Sequence, residues 1–239
     1  MTTVAQLDDV SVAFRGKTVL QDVSGTFESG SLTAIVGANG AGKSTLLKAM
    51  MGLVPLSSGK VHLGVERKRI AYLAQQSSIE RSFPLSVLDC VVQGFWPTSR
   101  LWRRMDSSHI ESAYAALEAV GLADLAERPV GSLSAGQFQR MLFVRVQLQN
   151  ADFILLDEPF NAVDARTTAD LLNIIAGWHE EGRTVAAVLH DHAQVRRHFP
   201  QTLLLARAPV AWGPTAQVLC EENLWRVGQL TDAWDEQAA

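Results

Sequence analysis

A glycine-rich loop between an apolar run and a helical segment is the feature that most constrains how this chain can fold. Residues 37–45 read Gly-Ala-Asn-Gly-Ala-Gly-Lys-Ser-Thr, the complete GxxxxGKST pattern of a phosphate-binding loop. The apolar run 32–36 before it suits a buried parallel strand, and residues 45–51 after it suit a helix that ends at Gly52. This strand–loop–helix order predicts an α/β fold that binds a nucleoside triphosphate.

Each residue type in this loop has a physical role in binding phosphate. The glycines allow a tight turn whose backbone N–H groups face inward, and the positive end of the following helix points at the phosphates. Lys43 supplies a cation for the β- and γ-phosphates, and the Ser44 hydroxyl is a ligand for Mg²⁺. The predicted phosphate-binding residues are Gly37, Ala38, Asn39, Gly40, Ala41, Gly42, Lys43, Ser44 and Thr45.

Composition narrows the class of protein. The formal net charge of −4 argues against nucleic acid as the main partner, because nucleic-acid-binding domains are usually basic. The first residues lack the pattern of a signal peptide, and the chain has no run of about 18 apolar residues. Cys90 and Cys220 match no zinc or redox spacing, so we expect idle thiols in a reducing, cytoplasmic setting.

The rest of the chain alternates between strand and helix patterns. Residues 4–35 are typical of β structure, whereas residues 77–130 have helical spacing and read as an insertion. The apolar runs 153–156 and 184–189 predict strands buried on both faces, with a helix between them, which is a βαβ unit of a parallel sheet. The tail 231–239 is expected to be frayed.

Two acids follow the strand at 153–156. Because ligands lie at the carboxyl ends of parallel strands, Asp157 and Glu158 are expected to reach the bound phosphates. Asp157 suits a Mg²⁺ contact, and Glu158 suits polarising an attacking water. The alternative, a solvated acidic strand end, loses weight because a phosphate loop lies in the same chain.

The segment Leu-Ser-Ala-Gly-Gln at residues 133–137 discriminates between classes of nucleotide-binding protein. By itself it could be only a helix start capped by Ser134. Its position shortly before the acidic strand resembles the LSGGQ signature of the ABC (ATP-binding cassette) ATPases. A serine turn feeding a helix is a second anion site. The resemblance implies that the phosphate loop of one subunit and the signature of its partner clamp the same ATP.

The resemblance covers the chain from about residue 7 to residue 225. It implies an α/β P-loop NTPase fold of the ABC ATPase type, with a parallel-sheet core, an N-terminal antiparallel β subdomain and a helical signature subdomain. The whole chain would be one domain, divided into 1–76 with 150–225 (RecA-like core plus β subdomain), 77–149 (helical subdomain) and 226–239 (C-terminal tail).

The resemblance also implies a role for each matching residue. Glu158 is the catalytic base, and His190 is the switch histidine that hydrogen-bonds the γ-phosphate. Gln75 is the Q-loop glutamine, Asp164 of the D-loop reaches across the dimer, and Phe14 stacks on adenine, although a core position is its default alternative. The implied Mg²⁺ contacts are Ser44, Gln75 and Asp157. The implied contacts with the ATP of the partner subunit are Ser134, Ala135, Gly136 and Gln137.

Two departures from the family pattern bear on this assignment. Ala135 stands where the family has glycine, so we predict an ordinary helical φ there, because alanine at a positive φ would cost about 1 kcal/mol. Ala74 replaces a common proline, which should matter little. The pair His190 and His192 has a spacing known from zinc sites, but a switch histidine at a strand end explains it better.

Several stretches resemble, more narrowly, the ATPases of bacterial metal-ion importers. They are residues 83–94, 158–167 and 211–224. Within that branch the signature and the His-Asp-His segment 190–192 look most like zinc importers, with manganese and iron as alternatives. Arg100, Arg103 and Arg104 around Trp102 are expected to meet a permease or lipid phosphates, or to be a solvated loop.

The resemblance implies ATP and Mg²⁺ as ligands, and as partners a second copy, membrane-spanning permease subunits and an extracytoplasmic metal-binding protein. It places the chain peripherally at the cytoplasmic face of the bacterial inner membrane. Soluble ABC ATPases of DNA repair or translation are an alternative, but they carry two cassettes or a coiled-coil insert. A P-loop kinase or GTPase is a second alternative, but it would not account for the signature-like segment 133–137. A cassette that does not hydrolyse ATP is a third, and the presence of Asp157, Glu158 and His190 argues against it.

Overall fold

A computed structural model describes residues 2–75, 84–96 and 107–238, with side chains up to residue 230. The strands of this part are β1 (Thr3–Phe14), β2 (Lys17–Glu28), β3 (Leu32–Val36), β4 (Ser58–Leu63), β5 (Ile70–Leu73), β6 (Phe153–Asp157), β7 (Thr184–Val188), β8 (Gln201–Ala206) and β9 (Ala208–Pro214). The α-helices are α1 (Lys43–Met50), α2 (Val87–Val92), α3 (Ser107–Ala119), α4 (Ala135–Leu148), α5 (Ala165–Glu180), α6 (His192–His198), α7 (Thr215–Val218) and α8 (Glu221–Ala238).

The described strands form two sheets. The larger has the order β5-β6-β7-β3-β8-β9, in which β9 alone is antiparallel to its neighbour. The smaller is antiparallel with the order β2-β1-β4, and its first hairpin turns at Arg15 and Gly16, both with positive φ. The predicted parallel core and antiparallel N-terminal subdomain are therefore confirmed.

Alternating side chains of the larger sheet face two separate cores. On β6, Ile154 and Leu156 pack with the helices α2 to α5, whereas Phe153 and Leu155 pack with α1 and the antiparallel sheet. All five residues of β3, β6 and β7 are buried, as expected for strands covered on both faces. The sheet is thus the middle layer, and its carboxyl edge holds the loops that follow β3, β5, β6 and β7.

The helical prediction for the insertion agrees with α2 and α3, and α4 follows before the chain returns to the sheet. Close packing joins α4 to the turn after α2, because a Cβ on Gly94 would lie 2.5 Å from the Arg145 carbonyl oxygen. The tail 231–239 was expected to be frayed, but its backbone is helical, since α8 continues to Ala238. Its sequence carries no proline and many good helix formers, which outweigh its terminal position.

Candidate functional site

Tight packing explains why the phosphate loop needs glycine. Gly37 has φ 154°, and a Cβ there would lie 2.0 Å from the Leu205 carbonyl oxygen. Gly42 has φ 92°, and a Cβ there would lie 2.5 Å from the Leu20 side chain. Any larger residue at these positions would collide with the neighbouring strands, so the loop keeps its narrow turn between β3 and α1.

Lys43 is held inside the loop. It is buried, and its Nζ donates to the carbonyl oxygens of Gly37 and Ala38, both at 2.9 Å. Burial lowers the pKa of Lys43, and the nearby carboxylates of Glu158 and Asp157 partly offset that shift. The amine therefore lies at the centre of the loop, where phosphate oxygens can replace its carbonyl partners.

The Ser44 hydroxyl and the Asp157 carboxylate lie side by side. Ser44 Oγ donates to Asp157 Oδ1 at 2.8 Å, and the Tyr72 hydroxyl donates to Oδ2 at 3.2 Å. Burial raises the pKa of Asp157, and the two hydrogen bonds oppose that shift. Burial, followed by the Asp157 charge, raises the pKa of Tyr72, so its hydroxyl keeps its proton and acts as the donor. A hydroxyl and a carboxylate next to a phosphate loop are oxygen donors that fit Mg²⁺.

Several side chains contact the Glu158 carboxylate. Gln75 Nε2 donates to its Oε2 at 2.9 Å, and His190 Nε2 lies 2.8 Å from its Oε1. Asn161 Nδ2 makes a longer contact of 3.4 Å with Oε2. Glu158 itself has φ 51°, a conformation that is uncommon outside glycine and is often found at functional sites.

These side chains line one open cleft. Asn39 of the phosphate loop, Gln75, Glu158 and His190 all contribute to its wall. Gln75, which was grouped with Ser44 and Asp157 as a Mg²⁺ contact, donates a hydrogen bond to Glu158. These predicted residues therefore lie at one edge of the sheet, and the structure shows how they pair with one another.

Phe14, the predicted adenine-stacking residue, ends β1. Its side chain is 43% exposed, so the alternative that it belongs to the core is wrong. An exposed aromatic ring at a strand end is free to stack on a planar ligand.

The signature residues form the start of α4. Ser134 is the N-cap, and it exchanges two hydrogen bonds with Gln137 in a capping box. Ala135 is the first helical residue and does not have a positive φ, as the sequence analysis predicted. None of these residues is among those that line the cleft at Glu158.

Asp164 caps α5 within its own chain. Its two carboxylate oxygens accept from the backbone N–H and the hydroxyl of Thr167, at 2.9 and 2.8 Å. These bonds lower the pKa of Asp164. A Cβ on Gly136 would lie 2.8 Å from the same Thr167 hydroxyl, so the signature packs directly on the segment that follows Glu158. The predicted reach of Asp164 across a dimer stays a prediction.

Sequence reasoning gave no role to Tyr72 or Asn161, although each contacts an acid of the site. Asn161 was visible as part of the segment after Glu158, so its short distance along the chain was a usable signal. Tyr72 offered no comparable signal, because its partner lies 85 residues away.

Some expected features lie outside the residues that the structure describes. Phe83, Arg100, Trp102, Arg103 and Arg104 are outside the described ranges. Within those ranges, no three His, Cys, Asp or Glu side chains are grouped so that they could hold a metal ion. No helix in the same ranges is both long and apolar enough to cross a membrane.

Comparison with known proteins gives consistent matches. The family model described as ABC transporter matches residues 20–161. The manganese transport system ATP-binding protein MntB of Bacillus subtilis strain 168 is 41% identical over 241 residues, covering 98% of this chain and 96% of the relative. The zinc transport system ATP-binding protein TroB of Treponema pallidum strain Nichols is 38% identical over 226 residues, covering 92% and 85%.

Solved structures agree on the fold. A metal-chelate type ABC transporter in an inward-facing conformation superposes with a TM-score of 0.83 at 26% identity, covering 95% of this chain and 89% of that one. The ADP conformation of MJ1267, an ATP-binding cassette of an ABC transporter, gives a TM-score of 0.79 at 21% identity, covering 95% and 98%. Together with the phosphate loop and the paired acids, these matches show that the chain belongs to the ABC transporter family, as a subunit that binds and hydrolyses ATP.

Proposed function

We propose that this chain powers the uptake of a divalent metal ion, with Glu158 as the catalytic base of ATP hydrolysis. The observation that carries the catalytic part is the convergence of the loop Gly37–Thr45, Asp157, Glu158 and His190 at the carboxyl edge of one parallel sheet. The relatives named for manganese and zinc transport support the cargo.

The side chains around Glu158 support its role as base. A carboxylate that polarises water must be fixed in direction, and Gln75, His190 and Asn161 hold both of its oxygens. His190 is half exposed and lines the same cleft, so its ring can also contact the terminal phosphate. Lys43 would exchange its carbonyl partners for phosphate oxygens when ATP binds.

Ser44 and Asp157 are the residues that would hold Mg²⁺, and Gln75 contacts the neighbouring Glu158. A Mg²⁺ ion bound there supplies positive charge that neutralises the phosphate oxygens.

We infer that the second anion site, at the start of α4, serves the ATP of another copy. Ser134 is exposed, and α4 offers its N-terminal N–H groups beside the residues Ala135 to Gln137. These residues are not part of the cleft wall, which supports a head-to-tail pair in which each copy completes the other's site.

The remaining proposed partners are permease subunits, which would contact the helical subdomain, and an extracytoplasmic metal-binding protein. The chain would then lie at the cytoplasmic face of the bacterial inner membrane.

Replacing Glu158 by glutamine tests the catalytic assignment. The variant should bind ATP, hydrolyse it at least about a hundredfold more slowly, and accumulate as a dimer, because a positioned base contributes a factor of this size. Glu118→Gln, on an exposed face of α3, is the matched control and should behave like the wild type. Turnover would be measured by phosphate release and assembly by size-exclusion chromatography in ATP; near-normal turnover of Glu158→Gln would refute the assignment.

Growth of a strain lacking the gene tests the cargo. In medium treated with a chelator, the strain should grow poorly and recover with the transported ion. The wild-type gene should restore growth, and the Glu158→Gln gene should not. The signature and the His-Asp-His segment favour zinc as the transported ion, whereas the similarity to the Bacillus subtilis relative, which is named for manganese transport, favours manganese. Rescue by zinc, manganese or iron separately decides between them, and failure of all three would contradict metal uptake.

A further inference from the structure

Tyr72 makes a contact with the site that has no part in the proposed hydrolysis of ATP. It lies on β5, which runs parallel to β6, and its backbone is in register with Leu155. Its hydroxyl donates to Asp157 Oδ2 at 3.2 Å, on the opposite side of the carboxylate from the Ser44 hydroxyl. The side chain of Asp157 is therefore held at both oxygens.

The strand β5 and the residues directly after it contact both acids of the site. Tyr72 contacts Asp157, and three residues further along the chain Gln75 contacts Glu158. Since Asp157 and Glu158 are consecutive at the end of β6, two neighbouring strands fix two neighbouring carboxylates in matched positions. The order of the contacts follows the parallel register, so Asp157 has its partner on β5 and Glu158 has its partner two residues after the end of β5.

We propose that Tyr72 is a positioning residue that orients the Asp157 carboxylate for metal binding. Asp157 is only 1% exposed, so water cannot replace a donor that is lost from its Oδ2. With Oδ2 held by Tyr72, the other oxygen is directed at the Ser44 hydroxyl and at the phosphate loop. This inference rests on the proposed role of Ser44 and Asp157 as the Mg²⁺ contacts.

The experiment compares the two tyrosines of the chain. Tyr72→Phe removes the hydroxyl and keeps the ring. Tyr114→Phe is the matched control, because the Tyr114 hydroxyl also donates to a carboxylate, that of Glu127 at 2.8 Å, but at an exposed position. Binding of Mn²⁺ in the presence of ATP would be measured by electron paramagnetic resonance, and binding of ATP in EDTA by fluorescence of a labelled analogue.

We expect Tyr72→Phe to bind Mn²⁺ roughly fivefold more weakly, which corresponds to one lost hydrogen bond. Its affinity for ATP in EDTA should match that of Tyr114→Phe, whereas its melting temperature should be lower by about 2–4 °C, because the buried Asp157 Oδ2 loses its donor. Unchanged Mn²⁺ affinity would overturn the inference. Equal losses of Mn²⁺ affinity and of metal-free ATP affinity would also overturn it, since they would indicate a general loss of structure.

Asp157→Asn separates this inference from the function on which it rests. If Asp157→Asn weakens Mn²⁺ binding and Tyr72→Phe does not, the metal site stands and the role of Tyr72 fails. If Asp157→Asn itself leaves Mn²⁺ binding unchanged, the proposed metal site fails. In the Asp157→Asn background, Tyr72→Phe should cause no further loss, because a positioning residue acts only through its partner.

Discussion

Replacing Gly136 by alanine separates two reasons for a glycine in the signature. Gly136 is the second residue of α4 and does not have a positive φ, so backbone freedom is not required. A Cβ there would lie 2.8 Å from Thr167 Oγ1 and 3.4 Å from Thr167 Cγ2. Thr167 is buried, and its hydroxyl is bonded to Asp164 Oδ2 at 2.8 Å, so it cannot turn aside without losing that bond.

The expected effect is a moderate loss of stability. Overpacking at a buried contact costs about 1–3 kcal/mol, and the higher helix propensity of alanine returns up to about 1 kcal/mol. The net destabilisation of Gly136→Ala should therefore be about 1–2 kcal/mol. For a chain of this length, that corresponds to a fall in Tm of roughly 4 °C.

Two further variants make the test specific. Gly177→Ala is the same substitution in α5, where a Cβ would meet nothing within 4 Å, and it should raise Tm slightly. Thr167→Ala removes the two nearest atoms and leaves only Asp164 Oδ2 at 3.6 Å, an ordinary contact distance, so adding Gly136→Ala to it should cost little. Thermal unfolding of the four proteins gives the comparison with the wild type. A Gly136→Ala variant as stable as Gly177→Ala would refute the steric reasoning.

Further predictions concern other single side chains. Ala135→Gly should leave ATP turnover near the wild-type value, because Ala135 has no strained φ to relieve; a several-fold increase would contradict this. Phe14→Ala should weaken ATP binding roughly tenfold through loss of stacking and leave inorganic triphosphate binding unchanged, as titrations of both ligands would show. A thiol reagent should label the partly exposed Cys220 before the buried Cys90, whose pKa is raised by burial; equal rates in the native protein would count against this packing.

The larger elements could be predicted because their patterns are local. The continuous apolar runs at 153–156 and 184–189 mark strands covered on both faces, and both became central strands of the parallel sheet. The phosphate loop needs only a strand before it and a helix after it, so nine consecutive residues and their flanks were enough to predict a nucleotide site.

The pairings within the site could not be predicted in the same way. The hydrogen bond between Ser44 and Asp157 joins residues 113 positions apart, and the bond between Tyr72 and Asp157 depends on the register of β5 against β6. The closeness of Gly136 to Thr167 depends on how α4 packs on α5. These contacts are set by tertiary packing, which a local pattern does not contain.

The packing of Gly136 on Thr167 has a consequence for the proposed pair of copies. The signature of one chain is in direct contact with the start of α5, which follows its own Glu158 by seven residues. If the signature binds the ATP of another copy, a displacement of Thr167 at the chain's own site would be transmitted to Gly136, because the two residues are in close contact. The two ATP sites would then be linked through a contact inside each chain. Thr167→Ala, which opens space at this contact, should make the two hydrolysis events more independent, and a lower Hill coefficient for ATP with unchanged metal-free ATP affinity would be the measured result.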